Sequence, residues 1–241
     1  MATKVTLLAV LVVVGYKMFS PPPVQPPLPH ERRKYGKEDN VDWIAGKQWL
    51  LVSSQIIVAF PAACEAVVLI LRDHRGPVSG FVLSHLVYCD REYAYRLKMS
   101  SIFLAGWSAA VAGGLFRMHC YRVLGPQYTF QRAIIDGHQL ITTGPYAIVR
   151  HPAYAGFNVY MLGTLIALLA GPGSWVTECG VLGSSTLGRF VVGAWVLCAF
   201  HFMVMAFCRC AGEDEVLRKE FGDKWVRWSQ RTPARLLPGI Y

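Results

Sequence analysis

Two short segments of the chain place charged side chains where chemistry could follow. The segment GPYAIVRHPAYAGF, residues 144–157, puts Arg150 and His151 directly before Pro152, where an apolar run begins. Pro152 suits the first turn of a helix, since the N–H that it lacks would have no partner there. Arg150 and His151 would then lie beside the unpaired N–H groups of that turn, which is a favourable place for an anion. A belt of Arg and Tyr side chains that anchors a helix at the membrane surface accounts for the same residues equally well.

The second segment is RCAGEDEVLRKEFGDKWVRW, residues 209–228. Arg209 and Glu213 are four residues apart and share one face of a predicted helix. The ordinary interpretation is a surface ion pair worth about 0–1 kcal/mol. The functional interpretation is that Arg209 holds a substrate carboxylate while Glu213 holds a cationic group. Apolar residues at helical spacing predict that this helix lies along the membrane surface or over the mouth of the hairpin that precedes it: Leu217, Phe221, Trp225 and Trp228.

The composition predicts an integral membrane protein. Of the 241 residues, 54% are hydrophobic and 16% are charged, whereas soluble domains carry about 25% charged residues. The net charge of +9 favours anionic lipid headgroups as the partner, and we expect no nucleic acid because no basic stripe is interleaved with aromatic residues. The seven cysteines do not form paired CxxC motifs, so we predict neither a disulfide framework nor a metal site.

Uncharged apolar runs define the fold class, because about 20 helical residues cross a bilayer. Runs at 99–116, 151–177 and 190–208 are strong candidate spans, and 43–71 is a fourth that carries Glu65. Glu65 is expected to face other helices or an interface. The N-terminal run VTLLAVLVVVGY is interpreted as a retained helix, since no small-residue cleavage site follows it. The sequence therefore predicts an all-α, polytopic membrane bundle of about five transmembrane helices with a cytosolic, C-terminal amphipathic helix.

The connection between the last two spans predicts where the two charged segments lie. The spans at 152–172 and 190–208 are joined by a glycine-rich connector, so they form a hairpin whose open ends emerge on one membrane face. Arg150 and Arg209 would meet there, and the positive-inside rule makes that face cytosolic. The loop 72–98, which carries five basic residues, falls on the other face and disagrees with this rule. Either a predicted span is wrong there, or the loop crosses the membrane despite its charges. We divide the chain into an N-terminal helix and linker (1–42), N-terminal transmembrane helices (43–124) and a catalytic core (125–241).

The C-terminal half resembles a known family. The motif HQLITTGPYAIVRHPAYAGF, followed by a hairpin, GEDEVLRKEFGDKW and a terminal PGI, is similar to the isoprenylcysteine carboxyl methyltransferase family. That family belongs to a wider group of membrane methyltransferases that includes phospholipid N-methyltransferases, and some membrane sterol reductases share a similar C-terminal half. The resemblance implies methyl transfer from S-adenosylmethionine to the C-terminal carboxylate of prenylated cysteine in CaaX-processed proteins. It also implies the endoplasmic reticulum membrane, with the active site facing the cytosol.

The resemblance implies roles for individual residues as well. Arg209, Glu213 and Arg150 would be the catalytic residues, with Arg209 binding the substrate carboxylate and Arg150 orienting the site. The family often has two adjacent glutamates where this chain has Glu213 and Asp214, so the role of Asp214 stays open. S-adenosylmethionine would be bound by Gln131, His138, Gln139, Leu140, Ile141, Tyr146, His151, Pro152, Ala153, Tyr154 and Glu213.

The acceptor chemistry separates the alternatives. A prenylcysteine carboxylate, with a pKa near 3.5, is already ionised and needs alignment and loss of water rather than a base. A phospholipid amine must first lose a proton, so an N-methyltransferase needs a base, and Glu213, Asp214 or His151 could supply it. A cation at Arg209 suits a carboxylate and opposes an ammonium group. A non-catalytic membrane scaffold would explain the charge and the spans, but not the Gly-Pro-Tyr turn that leads into Arg-His-Pro.

Overall fold

A computed structural model of the chain describes residues 2–20, 27–35, 48–129 and 133–239, with the side chains of residues 35 and 48–58 outside that description. Within these ranges every regular element is helical and no strand is present, so the predicted all-α class is confirmed. The helices are α1 (Ala2–Phe19), α2 (Pro29–Tyr35), α3 (Gln48–Leu71), α4 (Pro77–Leu86), α5 (Ser101–Leu124), α6 (Pro152–Leu165), α7 (Trp175–Glu178), α8 (Thr186–Phe221) and α9 (Asp223–Arg231). Shorter turns are of the 3-10 type at Arg91–Arg96, Gly125–Gln127 and Gly144–Ala147, and of the π type at Ile166–Ala170.

Four stretches are long and apolar enough to cross a membrane, which confirms a polytopic membrane protein. They are Ala2–Phe19, Ser101–Gln127, Pro152–Glu178 and Thr186–Phe221. They match the predicted N-terminal run and the three strong predicted spans. Of the predicted span at 43–71, residues 43–47 lie outside the described part of the chain, and Ala59–Leu71 is a shorter apolar helix. The count of five spans therefore stays a prediction.

Helix α8 is longer than a bilayer requires. At about 1.5 Å per residue, its 36 residues extend roughly 54 Å, against about 30 Å for the hydrocarbon core. Because its apolar part ends near Arg209, the segment that carries Glu213 and Asp214 continues the same helix beyond the apolar run. The helix ends at Gly222, whose φ of +51° lies in the left-handed region that glycine tolerates.

Backbone contacts divide the chain into two compact units. Unit 1 comprises Met1–Tyr16, Ser54–Ala112 and Val159–His201, and unit 2 comprises Lys17–Ser53, Gly113–Asn158 and Phe202–Tyr241. Both charged segments singled out by the sequence belong to unit 2. The division of the chain into segments 1–42, 43–124 and 125–241 stays a prediction.

Unit 1 is held by close helix packing and one buried ion pair. A Cβ added to Gly106 of α5 would lie 2.5 Å from the Ala167 backbone nitrogen and 2.8 Å from the Gly163 carbonyl oxygen, so only glycine permits this approach. Lys4 of α1 pairs with Glu65 of α3, and both side chains are buried. Glu65 faces the interior of unit 1, as predicted.

Unit 2 repeats the close packing of α5 against α6. A Cβ at Gly156 would lie 2.8 Å from the Gly113 carbonyl oxygen and 3.0 Å from the Arg117 backbone nitrogen. The Tyr121 hydroxyl donates to the Met18 carbonyl at 3.2 Å and ties α5 to the end of α1. A buried cluster of Cys120, Tyr146 and Trp228 connects α5, the turn before α6 and α9. These contacts fix the turn that leads into Arg150.

Candidate active site

The turn before α6 is built by proline, glycine and one buried tyrosine. Gly144 takes a φ of +59°, in the left-handed region, and begins the 3-10 turn that contains Pro145. Tyr146 is buried, and its carbonyl accepts the indole N–H of Trp228 at 3.0 Å. Burial raises the pKa of Tyr146, so its phenol stays neutral. The result is a rigid entry to α6, which begins at Pro152 as the sequence predicts.

The C-terminal tail returns to this entry and occupies its backbone donors. The N–H of Arg150 donates to the Ala234 carbonyl at 3.0 Å, and the N–H of His151 donates to the Arg235 carbonyl at 2.8 Å. The tail therefore occupies the N–H groups of the two residues that precede α6, whereas the Tyr154 N–H in the first turn of α6 donates to the His151 carbonyl at 3.1 Å. No spacing rule predicts this contact, because more than 80 residues separate its partners.

The Arg150 side chain points into the same tail. Its Nη1 donates to the carbonyls of Thr232 at 2.9 Å and Pro233 at 2.8 Å, while its Nη2 lies 3.0 Å from Asp214 Oδ2. The guanidinium also lies 5.8 Å from the ring centre of Trp225. These contacts give Arg150 a positioning role between α6, α8 and the tail. A direct catalytic role for Arg150 stays a prediction.

Asp214 is the centre of this arrangement. Its carboxylate is buried and accepts bonds from Arg150, from His151 Nε2 at 3.0 Å and from Arg235 Nε at 2.9 Å. Charge-assisted bonds of this kind are roughly twice as strong as neutral ones. The second acid, whose role the sequence leaves open, therefore holds three cationic side chains together.

Glu213 faces a different set of groups. It accepts a hydrogen bond from the Tyr154 hydroxyl, and its Oε2 lies 3.4 Å from His151 Nδ1. Its side chain keeps 18% of its surface exposed, compared with 6% for Asp214. Because Glu213 and Asp214 are adjacent on α8, one acid is committed to structure and the other remains accessible.

His151 bridges the two acids. Burial alone would lower the pKa of its imidazole, but the hydrogen bonds to Asp214 and Glu213, together with their negative charges, raise that pKa above its ordinary value. The imidazolium form is therefore favoured, with both ring nitrogens acting as donors.

Arg209 lies one helical turn before Glu213. It is buried, with 6% of its surface exposed, and its charge stabilises the Glu213 carboxylate. The predicted meeting of the two sequence segments is confirmed, since Tyr154 contacts Glu213 and Arg150 contacts Asp214. An acid and a cation thus occupy one face of α8 opposite the first turn of α6.

The remaining predicted cofactor residues are placed as follows. Leu140, Ile141 and Ala153 pack against the buried Cys120–Tyr146–Trp228 cluster. His138 contacts Phe221 edge to face at 5.6 Å, and burial lowers its pKa. Gln139 is exposed, and its N–H donates to Gln127 Oε1 at 2.6 Å. Gln131 lies outside the described residues.

Three residues of this region were not singled out as site residues by the sequence. Arg235 belongs to a C-terminal tail whose sequence has no repeat and no helical pattern. The sequence therefore predicts the charge of Arg235 but not its position. Trp225 appeared in the apolar stripe, which gave no sign of its contact with Arg150. Arg117 is the first charge after the apolar run at 99–116, and that position indicates an interface rather than a site.

Comparison with known proteins agrees with the resemblance in the sequence. Residues 105–219 match the sequence model of the isoprenylcysteine carboxyl methyltransferase family. Protein-S-isoprenylcysteine O-methyltransferase B of Arabidopsis thaliana is 28% identical over 131 residues, 54% of this chain and 56% of the plant protein. The protein-S-isoprenylcysteine O-methyltransferase of Homo sapiens is 30% identical over 102 residues, 42% of this chain and 28% of the human protein.

A relative of another kind is also similar to this chain. The Delta(14)-sterol reductase of Mus musculus is 30% identical over 105 residues, 44% of this chain and 20% of that protein. The chain therefore matches about half of the length of the plant methyltransferase, and smaller parts of the human and mouse proteins. Over residues 105–219, the chain is therefore similar to the isoprenylcysteine carboxyl methyltransferase family and to the methyltransferases named above.

Proposed function

We propose that this chain uses S-adenosylmethionine to methylate the C-terminal carboxylate of a prenylated cysteine in CaaX-processed proteins. The reaction would take place at the cytosolic face of the endoplasmic reticulum membrane. One observation carries the proposal: an accessible acid, Glu213, and a buried cation, Arg209, lie one turn apart on α8 beside Tyr154. An acid suits a cationic methyl donor, and a cation suits an anionic acceptor.

The residues present fit the proposed cofactor. When bound, S-adenosylmethionine supplies an electrophilic methyl group on a sulfonium sulfur. The Glu213 carboxylate and the Tyr154 ring can stabilise a cation at this place. His138 Nδ1 is buried and has no hydrogen-bond partner among the described residues, so this atom is available to a polar group of a ligand. Acid, aromatic ring and available nitrogen together match a cationic nucleoside.

Arg209 would hold and orient the acceptor. One oxygen of a carboxylate can accept a charge-assisted bond from the guanidinium while the other oxygen attacks the methyl carbon. The new bond joins oxygen to carbon as the carbon–sulfur bond breaks, and no proton changes place. The contribution of the protein is therefore alignment and exclusion of water.

The state of His151 argues against an amine acceptor. An amine must lose a proton before it can attack, so a phospholipid N-methyltransferase needs a base. His151 has a raised pKa, and Asp214 is held by three cationic groups. Two of the three candidate bases are therefore already committed to other partners. Glu213 remains, but Arg209, one turn away, would oppose an ammonium substrate.

A transfer assay tests the proposal. The purified chain in detergent is incubated with S-adenosylmethionine carrying a labelled methyl group and either N-acetyl-S-farnesylcysteine or phosphatidylethanolamine. We expect a base-labile methyl ester on the prenylcysteine and no label on the phospholipid. Arg209→Ala should lower turnover by about 100-fold, which corresponds to the loss of a bond to a charged group, while its affinity for the cofactor stays normal.

Arg218→Ala is the matched control, because Arg218 is an exposed arginine on the same helix. It should leave turnover unchanged. Full activity of Arg209→Ala on the prenylcysteine would show that the role assigned to Arg209 is wrong. Label on the phospholipid alone would replace the proposed reaction with N-methylation. Failure to bind the cofactor would favour the sterol reductase alternative or a scaffold.

A further inference from the structure

Arg117 on α5 is a cation that the proposed mechanism leaves without a task. Its Nε atom is buried and has no hydrogen-bond partner among the described residues. Its Nη1 donates to the carbonyl of Ala153 at 2.8 Å. No Asp or Glu in the described part of the chain forms an ion pair with it. Arg117 keeps part of its surface exposed, and the Tyr121 side chain is a further hydrogen-bond partner. A partly buried cation without a counter-ion is a favourable place for an anion to bind.

Aromatic side chains surround the Arg117 guanidinium. Its central carbon lies 5.0 Å from the ring centre of Tyr121 and 5.2 Å from that of Phe157. Tyr128 is buried against Tyr121, with ring centres 4.0 Å apart. Burial raises the pKa of Tyr128 well above its ordinary value, so its phenol is neutral and cannot act as a counter-ion. Cation–π contacts offset only part of the loss of hydration.

The position of Arg117 relative to Glu213 indicates which kind of anion Arg117 could bind. Arg117 donates to the carbonyl of Ala153, and the next residue, Tyr154, donates to Glu213. Two adjacent residues of α6 thus contact a cation on one side and an acid on the other. An α-amino acid carries an ammonium group and a carboxylate on the same carbon, and a site for it needs both charges close together.

We infer that Arg117 binds the carboxylate of the methionine moiety of S-adenosylmethionine while Glu213 faces its cationic groups. This inference rests on the proposed function, since it assigns one more contact of the same cofactor. Arg209 then remains for the acceptor, so each of the two carboxylates of the reaction has its own arginine. Arg117 is a cofactor-binding residue in this scheme and takes no part in bond making.

A comparison of ligands with and without the carboxylate tests the inference. Dissociation constants for S-adenosylmethionine and decarboxylated S-adenosylmethionine are measured by calorimetry with the full chain in detergent. The wild-type chain should prefer the carboxylated ligand by about 10- to 100-fold, the range expected for one hydrogen bond to a charged group. In Arg117→Gln this ratio should fall to near 1, because the binding of S-adenosylmethionine weakens while the affinity for the decarboxylated ligand is unchanged. Arg117→Lys should restore part of the ratio.

Arg122→Gln is the matched control, since Arg122 is an exposed arginine on the same helix. The ratio of its dissociation constants for the two ligands should equal that of the wild type. A wild-type chain that binds both ligands equally overturns the inference. The inference is also overturned if Arg117→Gln weakens the binding of both ligands by the same factor, because that result would indicate a structural role for Arg117. If Arg117→Gln is unstable, Arg117→Lys decides. A ratio between 1 and the wild-type value, with normal affinity for the decarboxylated ligand, supports the inference, and equally weakened binding of both ligands overturns it.

The inference and the proposed function can fail separately. A chain that shows the carboxylate preference but methylates neither acceptor contradicts the proposed reaction and supports the role of Arg117. Loss of discrimination between N-acetyl-S-farnesylcysteine and its carboxamide in Arg117→Gln, with the cofactor ratio intact, assigns Arg117 to the acceptor instead and overturns the inference.

Discussion

The two compact units both bury charged side chains, but they balance them differently. In unit 1, Lys4 pairs with Glu65 and also donates to the carbonyls of Lys98 and Gly173, each at 2.7 Å. Glu65 in turn accepts the backbone N–H of Trp175 at 3.0 Å. One cation meets one anion, and backbone groups satisfy the remaining bonds. Such a pair joins distant segments of the chain without leaving a charge for a ligand.

Unit 2 gathers several cationic side chains near two adjacent acids. Among the described residues, Arg150, His151 and Arg235 contact Asp214, and the charge of Arg209 acts on Glu213. Arg150, His151 and Arg209 are buried, whereas Arg235 is partly exposed, as is Arg117 beside the Ala153 carbonyl. Asp214 alone contacts three cationic groups. Cationic side chains that are gathered in a partly buried place are less unfavourable when an anion binds beside them. The balanced pair of unit 1 serves the fold, and the cationic group of unit 2 is the one for which we propose anionic ligands.

The largest loss in unfolding free energy is expected when Asp214, the acid that holds three cationic groups in unit 2, is removed. Asp214→Ala takes away the shared partner of Arg150, His151 and Arg235, so three positive groups are left close together. Breaking a single buried pair costs about 3–5 kcal/mol, and we expect the loss in unfolding free energy to lie near 5 kcal/mol. Hydrogen exchange should also rise in residues 232–236, because the tail loses its attachment to Asp214.

Glu215→Ala is the control for this change. Glu215 is exposed, directly follows Asp214 and pairs only with Lys219 at 2.6 Å among the described contacts. It should leave both the thermal midpoint and the exchange of the tail unchanged. An Asp214→Ala chain as stable as the wild type would remove the distinction between the two acids.

A somewhat smaller effect is expected from the balanced pair of unit 1. Lys4→Met leaves the buried Glu65 carboxylate without its cation and should lower the unfolding free energy by about 3 kcal/mol. The double variant Lys4→Met with Glu65→Gln should recover most of this loss, since the amide oxygen can still accept the Trp175 N–H. Cofactor affinity should stay normal in both variants. Equal stability of the single and double variants, or a change in cofactor affinity, would contradict the structural role of this pair.

The third effect concerns the accessible acid. Glu213→Gln keeps the size of the side chain but removes its charge, so it should weaken binding of S-adenosylmethionine by about 10- to 100-fold, as expected for a bond to a charged group. Turnover should fall with it. Calorimetry with the full chain measures the affinity. Tyr154→Phe, which removes only the hydroxyl that donates to Glu213, should have a smaller effect in the same direction.

Normal cofactor affinity in Glu213→Gln would refute the role of this acid. S-adenosylhomocysteine keeps the ammonium group of the cofactor but lacks the sulfonium charge. Affinity that falls for S-adenosylmethionine alone would assign Glu213 to the sulfonium, and an equal fall for both ligands would assign it to the shared ammonium group.

Local patterns predicted most helices and the faces of the site residues. The apolar runs gave the four candidate spans, Pro152 marked the first residue of α6, and the four-residue spacing placed Arg209 and Glu213 on one face of α8. Each of these features depends on residues that are close in sequence. Periodicity and capping preferences act at that range.

Features that depend on distant residues could not be predicted in this way. The tail reaches Arg150 from more than 80 positions away, and its carbonyls accept hydrogen bonds from the Arg150 and His151 N–H groups and from the Arg150 side chain. The division of labour between Glu213 and Asp214 follows from which groups lie opposite each of them. Two adjacent acids look equivalent in a sequence, and only tertiary contacts make one structural and the other accessible.

The smallest expected effect is a pH dependence caused by His151. Its pKa is raised in the folded chain because the hydrogen bonds to Asp214 and Glu213 outweigh the effect of burial. The folded state therefore binds the proton more tightly than the unfolded state, whose pKa is about 6.5. This contribution to stability is fully present below about pH 6.5 and is lost as the pH rises through the raised folded pKa.

His151→Gln should therefore flatten the dependence of the thermal midpoint on pH between neutral and mildly alkaline conditions. The difference between the wild type and the variant should be largest at acidic to neutral pH and should shrink as the pH rises. Each unit of pKa difference corresponds to only about 1.4 kcal/mol, which makes this effect smaller than the removal of Asp214. Thermal unfolding in detergent at several pH values measures it. A wild type and a variant with parallel curves would show that His151 is not the titrating group.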